Sequence, residues 1–366
     1  MRKMNKLVII AMTLVLIVGL APSLFAAGAQ DEVPYIAVVS KGEQHDFWQQ
    51  VRLGAEAAAV EVGVEITFEG PASEADVQDQ VQMLNSALAR NPVAIALAAL
   101  DTNAVVEQLE DAIRRNIPVI GFDSGVPNAP EGSIFANAST DNAAAAGLGA
   151  EHMFREIVGQ INDASASNPV RIVVMNQDAA GESLLSRGRG FRDRMVELIV
   201  SDSNKSRSDI RVVGNAAYID ADTPTSGQAV VIEMVVPASS SAQDTTSAAN
   251  AVFSRVNDDN IVGVFMSNEG TVRGVLAASN DGADFANRLS GVVAVGFDAG
   301  AAQKDAVREG FFLGSVTQDP YQIGFQAVSL AHQAYQGQPV SDVDTGARFY
   351  DASNMDDPEI AGLLYD

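Results

Sequence analysis

Apolar residues in this chain come in blocks whose spacing switches between strand-like and helix-like. Residues 35–40 (YIAVVS) form a short β-branched run of the kind a buried parallel strand shows. Val51, Ala55, Ala58 and Val62 then recur every three or four positions, which predicts an amphipathic helix. The alternation continues through a strand at 64–68, a helix carrying Val77, Val81, Leu84 and Leu88, a strand at 93–97, a helix with Val106, Leu109 and Ile113, and a strand at 117–122 (IPVIGF). This β-α-β-α-β rhythm predicts a doubly wound parallel sheet, because parallel neighbours must be joined by crossovers.

A second series starts after Asp141. Strands are expected at 170–175, 210–213, 262–266 and 292–297, and helices between them, notably at 143–158 and 227–236. The segment 239–247 (SSSAQDTTS) reads as a loop leading into a helix. The fold class is therefore α/β, with two Rossmann-like doubly wound units in one chain. Ligands of such sheets bind at the carboxyl ends of the strands.

One apolar block belongs to neither series. Residues 7–20 carry no charge, follow Arg2, Lys3 and Lys6, and precede the small residues Ala27, Gly28 and Ala29. This is the layout of a cleaved signal peptide over residues 1–29, and the run is shorter than the roughly 20 apolar residues of a membrane span. Export to the periplasm is expected, and with no cysteine in the chain there is neither a lipid-anchor site nor a disulfide. The remaining 337 residues suit two domains. Stability must come from apolar cores, for which 47% hydrophobic residues suffice. Loss of the leader's three basic residues takes the formal charge from −24 to −27, which opposes nucleic acid or an anionic membrane as a partner.

Catalytic chemistry is hard to find. His45, His152 and His332 are the only histidines and lack metal-ligand spacing. There is no phosphate-binding glycine loop and no nucleophile elbow. A pair among 47 acidic residues could serve a secreted glycosidase, but that many carboxylates make coincidental pairs common. No enzyme activity, metal or cofactor is expected. Instead, polar and aromatic residues follow the strands: His45, Asp46, Phe47 and Trp48 after the first, Asp123 and Ser124 after IPVIGF, and Asp141 and Asn142 at a helix start. In the second series come Arg187 in SRGRGF, Asn268 and Glu269 after VGVFM, Asp298 after VVAVGF, and Gln318 in SVTQDPYQIG. Carboxylates, amides and a guanidinium match sugar hydroxyls, and an aromatic ring covers a sugar's C–H face.

The order of VVS with FW six residues beyond, IPVIGFDSGV, STDNAAAAG, SRGRGF, MSNEG, VGFDAG and SVTQDPYQIG resembles the sugar-binding proteins of ABC transporters of the ribose-binding type, from about Tyr35 to the C-terminal NMDDPEIAGLLYD. The resemblance implies two similar α/β domains joined by three crossovers, with a sugar enclosed by hinge closure. It implies lobes of residues 33–140 with 320–345 and 141–318 with 346–366. It also implies ring-stacking roles for Phe47 and Trp48 and polar ligand contacts by Asp123, Arg187, Asn268, Asp298 and Gln318, with Asp222 near another contact. The implied partners are a small sugar or polyol and an ABC permease, or alternatively a chemoreceptor or sensor kinase, with the protein itself a monomer. Sugar-responsive repressors share the fold, but the leader and the lack of a DNA-binding helix pair ahead of Tyr35 argue against that role.

Two departures bear on the ligand. Ser124 stands where ribose binders carry arginine, and Ala98 where they carry asparagine, so ribose is not the expected sugar. The loop before Phe47 is about one residue longer and brings in His45 and Asp46, estimated by counting between motifs. Each candidate also has a plain structural role open to it. Phe47 and Trp48 could be core, Asp123 and Asp298 could cap helices as Asp141 is expected to, Arg187 could pair with Glu182, and His45 could lie on the loop surface.

Overall fold

The computed structural model describes residues 33–43 and 45–365, and the leader expected over residues 1–29 lies outside them. The first series folds as expected from its periodicity. It runs β1 (Tyr35–Val39), α1 (Asp46–Val62), β2 (Glu65–Glu69), α2 (Val77–Ala89), β3 (Ala94–Leu97), α3 (Val106–Arg115), β4 (Val119–Phe122) and β5 (Ile134–Ser139). β1, β3 and β4 are almost wholly buried because helices cover both faces, which is why they read as continuous apolar runs. β5 was not expected: its sequence IFANAS alternates poorly and carries an asparagine in mid-strand.

The second series follows α4 (Asn142–Asp163). It comprises β6 (Val170–Met175), α5 (Glu182–Asp202), β7 (Ile210–Gly214), β8 (Val230–Val235), α6 (Ala242–Phe253), β9 (Ile261–Met266), α7 (Glu269–Ala278), β10 (Val293–Phe297), α8 (Ala301–Arg308) and β11 (Gly314–Gln318). The helix expected at 227–236 is instead the strand β8. Its VVIEMV is a short apolar run that periodicity cannot distinguish from a buried helix segment, and its β-branched residues suit a sheet between two neighbours. The chain ends with α9 (Pro320–Tyr335), β12 (Val343–Asp344), β13 (Ala347–Tyr350) and the short α10 (Pro358–Ala361).

Two sheets result, with strand orders β12-β5-β4-β3-β1-β2 and β13-β11-β10-β9-β6-β8-β7. Every pairing is parallel except β11 with β13. Omitting the edge strands β12, β13 and β7, the two orders are equivalent, so β4 and β10 hold corresponding places. The chain passes between the sheets three times: after β5, where α4 packs on β9, β10, β11 and β13; after β11, where α9 packs on β3, β4 and β5; and between β12 and β13.

α1 and α9 cross closely. A Cβ placed on Gly54 would collide with the Tyr321 carbonyl, and one on Gly324 with the Val51 carbonyl, so glycine on each helix lets the two backbones touch. Both helices begin at the polar ends of strands, α1 just after His45 and α9 just after Gln318 and its N-cap Asp319, whose carboxylate accepts from the Gln322 N–H at 2.9 Å. Gly54→Ala and Gly324→Ala are each expected to cost roughly 1–3 kcal/mol of stability by overpacking. Denaturant melts matching the wild-type protein would show that the crossing is not this tight.

Candidate ligand-binding site

The carboxyl ends of both sheets face one another around a buried cavity. It is lined by Lys41, His45, Phe47, Trp48, Glu74 and Asp123 from the first half and by Leu184, Arg187, Asn268, Glu269, Asp298 and Gln318 from the second and its border with α9. The side chains reach each other across the gap, leaving about 20 Å³ inside, room for one water-sized molecule. Small-molecule pockets are commonly some 300–1,000 Å³, so a sugar enters only if the halves or their side chains part.

Asp123 and Asp298 are the corresponding residues of the two halves. Each directly follows its strand, β4 or β10, within the matching pentapeptides GFDSG and GFDAG. Both backbones are left-handed, with φ of 53° and 78°, a conformation that aspartate tolerates better than most side chains. Ending a strand this way places the carboxylate at the cavity wall. The Asp298 carbonyl is held by Gln303, Ser315 and Tyr350, and its carboxylate accepts from Gln318 Nε2 at 2.7 Å and the Glu269 N–H at 2.9 Å.

Arg187, on α5, stands between the two aspartates. Its guanidinium lies 3.9 Å from Asp123 Oδ1 and 3.9 Å from Asp298 Oδ2, over the Phe297 ring, and donates to Asn142 Oδ1 at 2.8 Å and the Ser267 carbonyl at 3.1 Å. Lys41 completes the central network, with Nζ 2.9 Å from Asp123 Oδ2 and 3.1 Å from Ser183 Oγ across the gap. Burial alone would depress Lys41, but Asp123 and Glu74 outweigh it and hold its pKa above the ordinary lysine value. At Asp298 burial prevails instead and raises its pKa despite Arg187 and Gln318.

Trp48 forms a wall of the cavity and is also core. It is only 2% exposed, packs edge-on against Phe47 and Phe122 with centroids 4.9 and 6.4 Å away, and donates from Nε1 to Glu74 Oε1 at 2.8 Å. Glu74 also accepts from Gln177 Nε2 at 2.6 Å, a bond that joins the halves. Burial would push Glu74 up, but His45, Lys41 and these two donors lower its pKa overall. Asn268 caps α7, accepting from the Thr271 N–H at 3.0 Å while donating to Gln177.

The structure thus brings His45, Phe47, Trp48, Asp123, Arg187, Asn268, Asp298 and Gln318 to one cavity. It leaves three other candidates off the wall. Asp46 pairs with Arg273 at the rim, 3.6 Å away, and Ser124 Oγ accepts from the Ser183 N–H at 3.3 Å. Asp222 lies exposed in a turn with its carbonyl held by Arg207, because the loop after β7 is drawn to α5 through Asp220, which binds Arg189 and Arg192. Asp141 caps α4, accepting from the Ala144 N–H at 3.0 Å, and Arg187 does not pair with Glu182. Lys41 and Glu74 were missed in the sequence. Lys41 stands two residues after β1, so the strand-end rule applied there would have found it, whereas Glu74 lies further along the loop after β2 and carries no such signal. Among the described residues no cluster of three or more His, Cys, Asp or Glu could hold a metal ion.

The profile of the periplasmic binding protein domain matches residues 36–339. The D-allose-binding periplasmic protein of Escherichia coli (strain K12) is 24% identical over 337 residues, 91% of this chain and 93% of that one. Among solved structures, a protein from Brachyspira murdochii named as an ABC transporter, LacI family transcriptional regulator, is similar with a TM-score of 0.74 at 40% identity, over 91% of this chain and 99% of that one. An ABC transporter solute-binding protein from Agrobacterium vitis with bound D-fucose is similar with a TM-score of 0.69 at 29% identity, over 90% of this chain and 100% of that one.

Proposed function

Because the chain belongs to the periplasmic binding protein family, we propose that it is a receptor that encloses a sugar or polyol between its two halves and delivers it to an ABC permease. The observation that carries this reading is the cavity wall. Four carboxylates, two amides, one guanidinium, one ammonium and two aromatic rings converge from the carboxyl ends of both sheets. That set offers donors and acceptors to vicinal hydroxyls and an apolar face to ring carbons. The carboxylates outnumber the fixed cations, which favours an uncharged sugar over a sugar acid. The relatives named for D-allose and crystallised with D-fucose point to the same neutral class.

The lobes would be residues 33–140 with 320–345 and 141–318 with 346–366, hinged at the three crossings between sheets. Export would follow from the leader, with cleavage near Ala29. A thermal-shift screen of the chain from Gln30 against aldopentoses, hexoses, deoxyhexoses and polyols tests the reading. A sugar at 100 times its dissociation constant adds about 2.7 kcal/mol of stability. No stabilisation by any of them would remove the proposal. Asp123→Ala and Asp298→Ala are each expected to weaken the identified sugar by about 10- to 150-fold, the loss of a charge-assisted bond worth roughly 1.5–3 kcal/mol. Unchanged affinity in calorimetry for both would place the site elsewhere.

A further inference from the structure

His45 lies at the seam between the halves, with an acceptor beside each ring nitrogen. It is the N-cap residue of α1, but its side chain makes no capping bond and reaches across the gap instead. Nδ1 stands 3.7 Å from Glu269 Oε1 on α7 of the second half, and Nε2 stands 4.0 Å from Glu74 Oε1 of the first. The imidazole side chain is only 12% exposed, and its buried Nδ1 has no hydrogen-bond partner closer than that carboxylate.

A neutral imidazole carries one N–H and one lone pair, so it can serve only one of two carboxylates and turns its lone pair on the other. An imidazolium carries two N–H groups and serves both. The other charges around the ring are Arg273 on α7, which pairs with Glu269 and with Asp46 at the rim, and Lys41 after β1, which shares Glu74. Behind Glu269 lies Asp298, which accepts from the Glu269 N–H. Arg273 opposes a charge on His45, while Glu74 and Glu269 favour it.

We propose that closing the cleft takes up a proton on His45, so that the receptor grips its ligand more tightly on the acid side of neutrality than on the basic side. The effect on ligand rests on the receptor reading above; the proton-linked closure does not. Burial alone would depress the imidazolium, but the two carboxylates outweigh it and hold its pKa above the ordinary histidine value. When the halves part, Glu269 leaves and the ring returns to water, where about 6.5 is usual. The closed form therefore has its full advantage below the open-form pKa, and loses it as pH rises through the raised closed-form pKa. Each unit between the two is about tenfold in the closed-to-open ratio.

The test follows the radius of gyration of the whole protein by small-angle scattering at pH 5.5 and 8.5, without sugar and with D-allose or D-fucose, alongside titration calorimetry with both sugars. Expected without sugar is a more compact wild-type protein at pH 5.5 than at pH 8.5, with His45→Gln and Glu269→Gln each losing that pH response. Where a sugar binds, its affinity is expected to fall roughly fivefold or more between the two pH values in the wild-type protein and to change little in His45→Gln. Wild-type scattering that is the same at both pH values, or a pH response that survives in His45→Gln, overturns the proposal. Binding of neither sugar at either pH counts against the receptor reading for those sugars, and scattering still decides the proton-linked closure.

Discussion

Replacing Trp48 with alanine is expected to lower the unfolding free energy by roughly 3–5 kcal/mol, the cost of removing a large buried aromatic side chain. The indole is enclosed by Phe47 and Phe122, and its Nε1 donates to the buried Glu74 carboxylate, as Gln177 Nε2 does. Truncation therefore opens a cavity and strips a donor from a charged group in one step. Trp48→Phe separates the two effects, since it keeps a ring against Phe47 and Phe122 but loses the bond to Glu74, worth roughly 1.5–3 kcal/mol when the acceptor is charged. Denaturant melts measure both variants. An alanine variant as stable as the wild-type protein would mean that the indole is not part of the core. Trp48 is also the only tryptophan in the chain and forms a cavity wall, so its emission should shift on titration with the sugar found by screening. An unchanged spectrum on saturation would put the sugar away from this wall.

Arg187→Met should be as costly, for an electrostatic reason. The guanidinium is the cation shared by Asp123 and Asp298, and its removal leaves Asp298 buried with only neutral donors while Asn142 Oδ1 and the Ser267 carbonyl lose theirs. Breaking a buried pair from one side typically costs roughly 3–5 kcal/mol. Sugar affinity should fall by about 100-fold or more, as the closed form bears most of the loss. The deficit should also depend on pH. Burial already raises the Asp298 pKa, and losing Arg187 raises it further. A carboxyl with a folded-state pKa above its unfolded value destabilises the fold at high pH and recovers as it takes up its proton, so the stability gap from wild type should narrow between pH 8 and pH 5. A gap that stays constant, or one below about 1 kcal/mol at pH 8, would remove Arg187 from this central role.

Much of this molecule is legible along the chain because a parallel sheet covered on both faces imposes its own pattern. Strands buried on two sides must be apolar throughout, and the crossovers between them must be amphipathic helices, so VRIVVM and Val51-Ala55-Ala58 identify themselves. Asp123, Asn268, Asp298 and Gln318 were singled out for a related reason: each stands at the carboxyl end of a strand or within two residues of it, and such ends converge in this kind of fold. Where the pattern thins, the reading failed. VVIEMV was too short, and apolar at all but Glu233, to separate strand from helix, and IFANAS too polar to be seen as a strand.

Partners were beyond the reach of residue order. Lys41 meets Ser183, Glu74 meets Gln177 and Arg187 lies between Asp123 and Asp298, and each of these contacts joins segments far apart in the chain. The same limit explains Trp48 and Asp222. An aromatic after a strand reads equally as core or as cavity wall, and only packing showed that the indole is both, bonded to Glu74. Aspartate after β7 looked placed like the others, but Arg189 and Arg192 draw the neighbouring Asp220 to α5 and leave Asp222 in solvent. Local periodicity carries the fold because burial acts on each element separately, whereas a site is a set of distances between elements, which exist only once the sheets and helices have packed.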